Sequence, residues 1–332
     1  MSEDDSEAAA SIEEVTAAFD ELYSEISTVL VGNEDVVEQF AVALLTGGHV
    51  LVEGVPGVAK TTAANAFARA LGLEHRRVQM TPDLLPADIT GTHVYRDATG
   101  EFELERGPIF ANLVVADEIN RATPKTQSAL LEAMREGTVT IEGETQELPA
   151  PFMVVATQNP IEMEGTFALP EAQRDRFQFK VTIDIPERNV EREILDRFDA
   201  DAALGPEDVN QALTSTEITA LRARVMQVQV ADEIKKYVLD IVHAVRESPQ
   251  ISMGGSPRAT LAFLNAGKAR AAIRGRDYVI PDDVKALVNP ILRHRVILST
   301  EAELKDRPVD EILRETVATV SVPSESSLPS GE

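Results

Sequence analysis

The eight residues Gly54-Val55-Pro56-Gly57-Val58-Ala59-Lys60-Thr61 constrain the fold more than any other stretch of the chain. They follow the apolar run Val50–Val52, read as a short buried strand, and lead into a predicted helix from about Lys60 to Leu71. A glycine-rich turn between strand and helix points backbone N–H groups at a phosphate chain and sets the positive end of the helix behind it. In that arrangement Lys60 bridges the β- and γ-phosphates and the Thr61 hydroxyl ligates Mg²⁺, with Thr62 beside it in the nucleotide-binding turn. Ala59 stands where the general pattern has glycine. An ordinary glycine turn is the plain alternative, but the flanking strand and helix weigh against it. So does a lysine in a region this poor in bases: Lys60 is the first lysine or arginine, after 13 carboxylates. Leu113–Ala116 and Met153–Ala156 are further short apolar runs, and strands alternating with helices at this spacing predict a parallel sheet in an α/β layer fold.

The run Leu113-Val114-Val115-Ala116 ends in Asp117-Glu118. Two adjacent acids mean little in a chain with 56 of them. At the end of a buried strand, at the usual distance from a phosphate loop, they acquire roles. Asp117 holds Mg²⁺ through its water shell, and Glu118 polarises the attacking water.

The chain has 332 residues, enough for a large domain and a smaller one, and 43% hydrophobic residues, enough for a core in each. With no cysteine it has neither disulfides nor thiolate metal sites. The five histidines are scattered without metal-ligand spacing and read as surface or packing residues. An acidic start without a basic flank or apolar run, and no stretch long enough to span a bilayer, predict a cytoplasmic protein with no membrane insertion. The net charge is −25, and of 31 bases only 8 are lysine. One reading is repulsion of nucleic acid and anionic membranes. The preferred one is adaptation to a high-salt cytoplasm, because the acids are spread along the whole chain. No basic stripe with aromatic residues appears, so nucleic acid is not an expected partner.

Apolar residues at Ile12, Val15, Phe19, Leu22, Ile26 and Leu30 predict a helix capped by Ser11. Val139–Leu148 and His93–Leu104 alternate around Glu142-Gly143 and Asp97–Gly100, which predicts two hairpins. After Pro186 the pattern turns helical: Ile234, Tyr237, Val238, Ile241, Val242 and Val245 line one face, and Pro257–Ile273 and Asp282–Val296 read as helices. Met1–Glu7 and Val322–Glu332 read as frayed or disordered tails.

The stretch from Asp117 to Met134, DEINRATPKTQSALLEAM, resembles the signature of the MoxR family of AAA+ ATPases. Ala59 is also what that family usually carries. The likeness runs through Pro82–Gly91, Gly107-Pro108-Ile109-Phe110, Ala156-Thr157-Gln158-Asn159-Pro160 and Leu169-Pro170-Glu171-Ala172-Gln173, and covers the chain from about Val31 to Leu298. It implies a P-loop NTPase fold, an AAA+ core with a parallel sheet flanked by helices, followed by an all-α helical lid. The expected divisions are an acidic tail and helix over 1–25, the core over 26–190, the lid over 191–320 and a disordered tail over 321–332.

The resemblance also assigns residues. Asn159 falls at the sensor-1 position, where its amide orients the lytic water; the same amide also suits a turn before Pro160. Arg176 matches an arginine finger inserted into a neighbour's site, with Arg174 as a competitor. Arg258 matches sensor 2, acting either on its own nucleotide or on a neighbour's. Val31-Gly32-Asn33 resembles the segment that packs on adenine, and Arg121 an interface residue. The hairpins resemble pore-lining insertions; the plainer expectation is that they extend the sheet. The family implies Mg²⁺-dependent hydrolysis of ATP in a homo-oligomeric ring, a hexamer, for chaperone-like work on a protein client. A von Willebrand factor A domain protein is the expected partner. A metal-chelatase ATPase subunit and a helicase-like nucleic-acid motor remain as alternatives.

Overall fold

The computed structural model describes residues 10–98, 100–160 and 165–323. The expected tails at Met1–Glu7 and beyond Pro323 lie outside the described residues. Five strands form the central sheet: β1 (Val50–Glu53), β2 (His75–Gln79), β5 (Leu113–Asp117), β8 (Met153–Gln158) and β9 (Phe179–Thr182). The order is β2-β5-β8-β1-β9 and every pairing is parallel. All five carboxyl ends therefore open on one edge, the edge at which α/β sheets bind ligands.

Both predicted hairpins form. β3 (Gly91–Arg96) pairs with β4 (Glu101–Arg106), and β6 (Thr138–Ile141) with β7 (Glu144–Glu147). Each is a separate two-stranded sheet, so neither extends the central one. Glu142 and Gly143, both with positive φ, make the tight turn between β6 and β7.

The inner strands are apolar on both faces, as strands covered on both sides must be. One face, with Leu113, Val115 and Val155, packs on the helix Lys60–Ala70 and belongs to the larger core. The other, with Val114, Ala116 and Val154, packs with Leu130 and Leu131 of the helix Pro124–Glu136. The larger core continues without a break into the second half of the chain. There the helix Asp232–Glu247 buries the apolar stripe read from the sequence, in one core with the helices Ser215–Met226 and Pro257–Ile273.

The helix Ile12–Ser27 starts at a capping box in which Ser11 accepts from the Glu14 N–H and Glu14 accepts from that of Ser11. It packs against the helix Pro257–Ile273, as does the helix Glu34–Thr46. A buried ion cluster reinforces that junction: Glu38 is paired with Arg270 and Arg274, and Asp283 takes both terminal nitrogens of Arg276 at 2.7 Å.

The predicted helix over Asp282–Val296 is two short ones, Pro281–Ala286 and Val288–Leu292. Pro290 has no N–H to offer the carbonyl of Ala286, so the ladder breaks between them. The second half also carries a small antiparallel pair, β10 (Ile251–Met253) with β11 (Ile297–Leu298).

Candidate functional site

At the carboxyl edge of the sheet lies a cavity of about 920 Å³, in the size range of cofactor pockets. One wall is the loop and helix start Pro56–Thr62; another is Asp117 with Glu118. Gly54 passes so close to the chain beyond β9 that a Cβ there would lie 2.4 Å from the Ile183 carbonyl. Gly57 has φ +86° with open space around it, so its glycine serves the backbone turn. Ala59 also has positive φ, at 64°, a conformation that costs an L-residue about 1–2 kcal/mol and explains why glycine is the common occupant. Lys60 Nζ donates to the carbonyls of Gly54 and Val55, at 2.5 and 2.8 Å, and so lies across the loop.

The two motifs meet at Asp117. Its Oδ1 accepts from the hydroxyls of Thr61, at 2.9 Å, and Thr157, at 3.1 Å. Its Oδ2 accepts from Nε of Arg77 at 2.6 Å. Glu118 is held in the left-handed region, φ 56°, by a hydrogen bond from its N–H to Thr157 Oγ1. Its carboxylate accepts from Gln79 Nε2 at 2.8 Å and pairs with Arg121 at 3.2 Å. Non-glycine residues in that region are uncommon and concentrate at functional sites. Here the twist turns Glu118 out of the strand into the cavity.

Arg77 and Gln79 were not read from the sequence. They sit two apart on β2, hence on one face, and Gln79 lies in register with Asp117. Strand β2 therefore holds both consecutive acids with alternate side chains. A hydroxyl beside a carboxylate is the hard-oxygen donor set that Mg²⁺ uses together with phosphates and water, and the glycine cradle leaves room for the phosphates. The residues present fit both groups. Among the described residues no cluster of three or more acid or histidine ligands offers another metal site.

The rest of the lining mixes apolar side chains with the charged Asp35, Asp184, Glu187 and Arg197. Val29–Asn33 and Val36 face Ile183, Val190, Ile194 and Phe198, a slot suited to a flat base. Asn33 Nδ2 donates to the Val31 carbonyl at 2.8 Å and so closes the turn.

Three assigned residues do not line this cavity. Asn159 follows β8 at the same edge of the sheet and is buried, 5% exposed. Arg176 donates to the Leu131 carbonyl of the helix Pro124–Glu136. Burial lowers its pKa, and the charges of Arg135 and Arg258 lower it further. Arg258 opens the helix Pro257–Ile273, with Nε 3.9 Å from Asp175. Arg176 and Arg258 thus lie together and apart from Lys60. Arg174 has its Nε buried without a hydrogen-bond partner.

A family model described as the ATPase family associated with various cellular activities (AAA) matches residues 49–179, and one for the AAA lid domain matches 243–316. YeaC of Bacillus subtilis, an uncharacterized protein, is 45% identical over 91% of this chain and 94% of its own. Chaperone MoxR1 of Mycobacterium tuberculosis is 43% identical over 92% of this chain and 82% of its own. A crystal structure of a proposed ATPase from Cytophaga hutchinsonii superposes with a TM-score of 0.85 at 36% identity, covering 94% of this chain and 98% of the other. A chain with this loop, this acid pair and these relatives along nearly its whole length belongs to the MoxR family of AAA+ ATPases.

Proposed function

We propose that the chain hydrolyses ATP to ADP and phosphate with Mg²⁺, as a cytoplasmic homo-oligomeric ring, and uses the cycle for chaperone-like maturation or remodelling of protein complexes. The observation that carries the reading is the meeting of Lys60, Thr61, Asp117 and Glu118 in one cavity.

In this reading the loop Gly54–Thr62 wraps the phosphates, Lys60 turns from the Gly54 and Val55 carbonyls to the γ-phosphate, and the slot around Val31 takes adenine. Mg²⁺, when bound, neutralises charge on the phosphates; Thr61 and Asp117 are the residues that would hold it. Glu118 orients and polarises the attacking water from a backbone already twisted toward it, with Gln79 fixing its carboxylate. Asn159, one residue beyond β8, helps place the same water. Arg176 and Arg258 supply cationic charge to a neighbour's γ-phosphate, which accords with their distance from their own subunit's cavity.

The chaperone-like role comes from the relative named Chaperone MoxR1. A hexameric ring and a von Willebrand factor A domain partner are what the family leads one to expect. No described helix is long and apolar enough to cross a membrane. The chelatase-type and helicase-type readings have less behind them than the full-length MoxR likeness.

The test is hydrolysis by rings of defined composition. Arg176→Ala should bind ATP yet turn it over on the order of 10³-fold more slowly. Mixing it with Lys60→Ala should restore part of the rate, because an intact site then meets an intact arginine across the interface. Absence of recovery in rings shown to be mixed, together with recovery for Arg174→Ala, would move the role to Arg174.

A further inference from the structure

Asp175, the residue before Arg176, ties the sheet half of the chain to the helical half. Its Oδ1 accepts from Nε of Arg295 at 2.8 Å, and its Oδ2 from the Ser256 hydroxyl at 3.0 Å. The Nε of Arg258 stands 3.9 Å from the same Oδ2. Arg295 is itself locked: its side chain is 3% exposed, and its terminal nitrogens donate to the carbonyls of Phe177, Gln178 and Ile291. Ser256 is the N-cap of the helix Pro257–Ile273, and Arg258 lies in its first turn. A single carboxylate therefore joins the residue preceding Arg176 to the helix start that carries Arg258. On its other side Arg176 reaches Leu131, close to Arg135. Three arginines, Arg135, Arg176 and Arg258, gather there beside Glu132, Glu136 and Asp175, and Arg135 is paired with Glu136.

We propose that Asp175 is a positioning residue that binds Arg176 and Arg258 into one unit and presents both to the nucleotide of a neighbouring subunit. This rests on the reading of Arg176 as a residue that serves the neighbour. Every partner of Asp175's carboxylate belongs to the helical half. A shift of that half relative to the sheet therefore drags the turn after the helix Glu171–Arg174 that carries Arg176, and the nucleotide state of one subunit reaches the next one's site. The competing view is that Asp175 merely neutralises buried Arg295.

Complementation in mixed rings separates the two. Asp175→Asn should retain mant-ATP binding and lose at least tenfold in hydrolysis, with Asp175→Glu recovering part of it. Mixed with Lys60→Ala it should regain turnover. Mixed with Arg176→Ala it should not, because both variants lack the same contribution to the neighbour. Recovery in the Asp175→Asn and Arg176→Ala mixture overturns the proposal, since Asp175 would then act in its own subunit's site. No recovery between Arg176→Ala and Lys60→Ala in rings shown to be mixed removes the neighbour reading itself, and the proposal with it. Should Asp175→Asn not fold, Ser256→Thr, which keeps the hydroxyl of the helix cap but crowds its approach to Asp175, and Ser256→Ala, which removes both the bond to Asp175 and the cap, take its place. Both should show the same pattern at smaller amplitude, and complementation with Arg176→Ala would again overturn the proposal.

Discussion

The Nε of Arg77 stands 2.6 Å from Oδ2 of Asp117, so a guanidinium sits on the carboxylate assigned to the metal. With Thr61 and Thr157 on Oδ1, both oxygens of that carboxylate are engaged by the protein. A cation that takes Oδ2 has to displace Arg77. The pair is half open to solvent on the arginine side, which limits its worth to about 0.2–1 kcal/mol. Arg77→Gln should accordingly bind Mn²⁺ about two- to fivefold more tightly in the presence of ADP, read by electron paramagnetic resonance titration. Weaker binding in the variant would show that Arg77 supports the metal site instead of competing for it.

Lys60 and Glu118 face one cavity from different motifs, and their removal should separate binding from chemistry. Lys60→Ala should lose tight ATP binding. Glu118→Gln keeps the size and one acceptor oxygen of the side chain, so it should bind ATP normally and turn over about 10²–10⁴-fold more slowly. Calorimetry and phosphate release measure the two effects. Normal turnover by Glu118→Gln would take the water-polarising role away from that residue.

His49 is buried; Nε2 donates to the Met134 carbonyl and Nδ1 accepts from the Val154 N–H at 3.0 Å. Burial pushes its pKa down to about 4 from 6.5, against the hydrogen bond to Met134. Between those values the unfolded chain takes up a proton that the folded chain refuses. Stability is therefore full above pH 6.5 and falls on acidification toward pH 4, by roughly 3 kcal/mol from this residue. His294, also buried and also held well below its ordinary pKa by burial, acts in the same direction. Denaturant unfolding at constant salt should show this loss, and a His49→Gln variant should show a shallower slope over the same window. Equal slopes would mean that His49 is not refused its proton in the fold.

A chain of net charge −25 with 56 acids pays for compactness in self-repulsion. The screening length shrinks from about 10 Å at 0.1 M salt to about 3 Å at 1 M. Thermal melts should therefore rise by many degrees between dilute buffer and molar KCl, with hydrolysis following. Equal melting in both would remove the high-salt adaptation and restore the acidic surface as an argument against nucleic-acid binding.

The sequence made the inner strands and the phosphate loop legible because both have strong local signatures. Val50–Val52, Leu113–Ala116 and Met153–Ala156 are continuous apolar runs, as strands buried on both faces are. Strand β2 escaped notice because it lies at the sheet edge, where His75, Arg76, Arg77 and Gln79 leave Val78 as its single buried residue. Its function was hidden for the same reason. Nothing local says that two polar residues on an edge strand will stand opposite Asp117 and Glu118, because register is a property of the pair. Strand β9 is shorter still, and Lys180 interrupts its apolar pattern to reach Glu53 on β1 at 2.7 Å. The break at Leu287 could have been read from Pro290, whose missing N–H outweighs a helical run of apolar residues. The link through Asp175 joins positions about 80 and 120 apart in the chain, and no spacing rule reaches that far.

The packing of Ile12–Ser27 and Glu34–Thr46 on Pro257–Ile273 sets the order in which the protein can be made. The first two helices leave the ribosome early and soon meet the helix Lys60–Ala70, but the apolar faces turned to Pro257–Ile273 have no partner yet. At about 5–20 residues per second, their partner emerges on the order of ten to forty seconds later. For that interval Phe19, Leu22 and Leu44, all buried in the finished fold beside Leu221 and Ile273, have to be kept from other nascent chains. The acids that separate them, Asp20, Glu21, Glu34 and Asp35 among others, give each nascent segment the like charge that keeps neighbouring copies apart during translation.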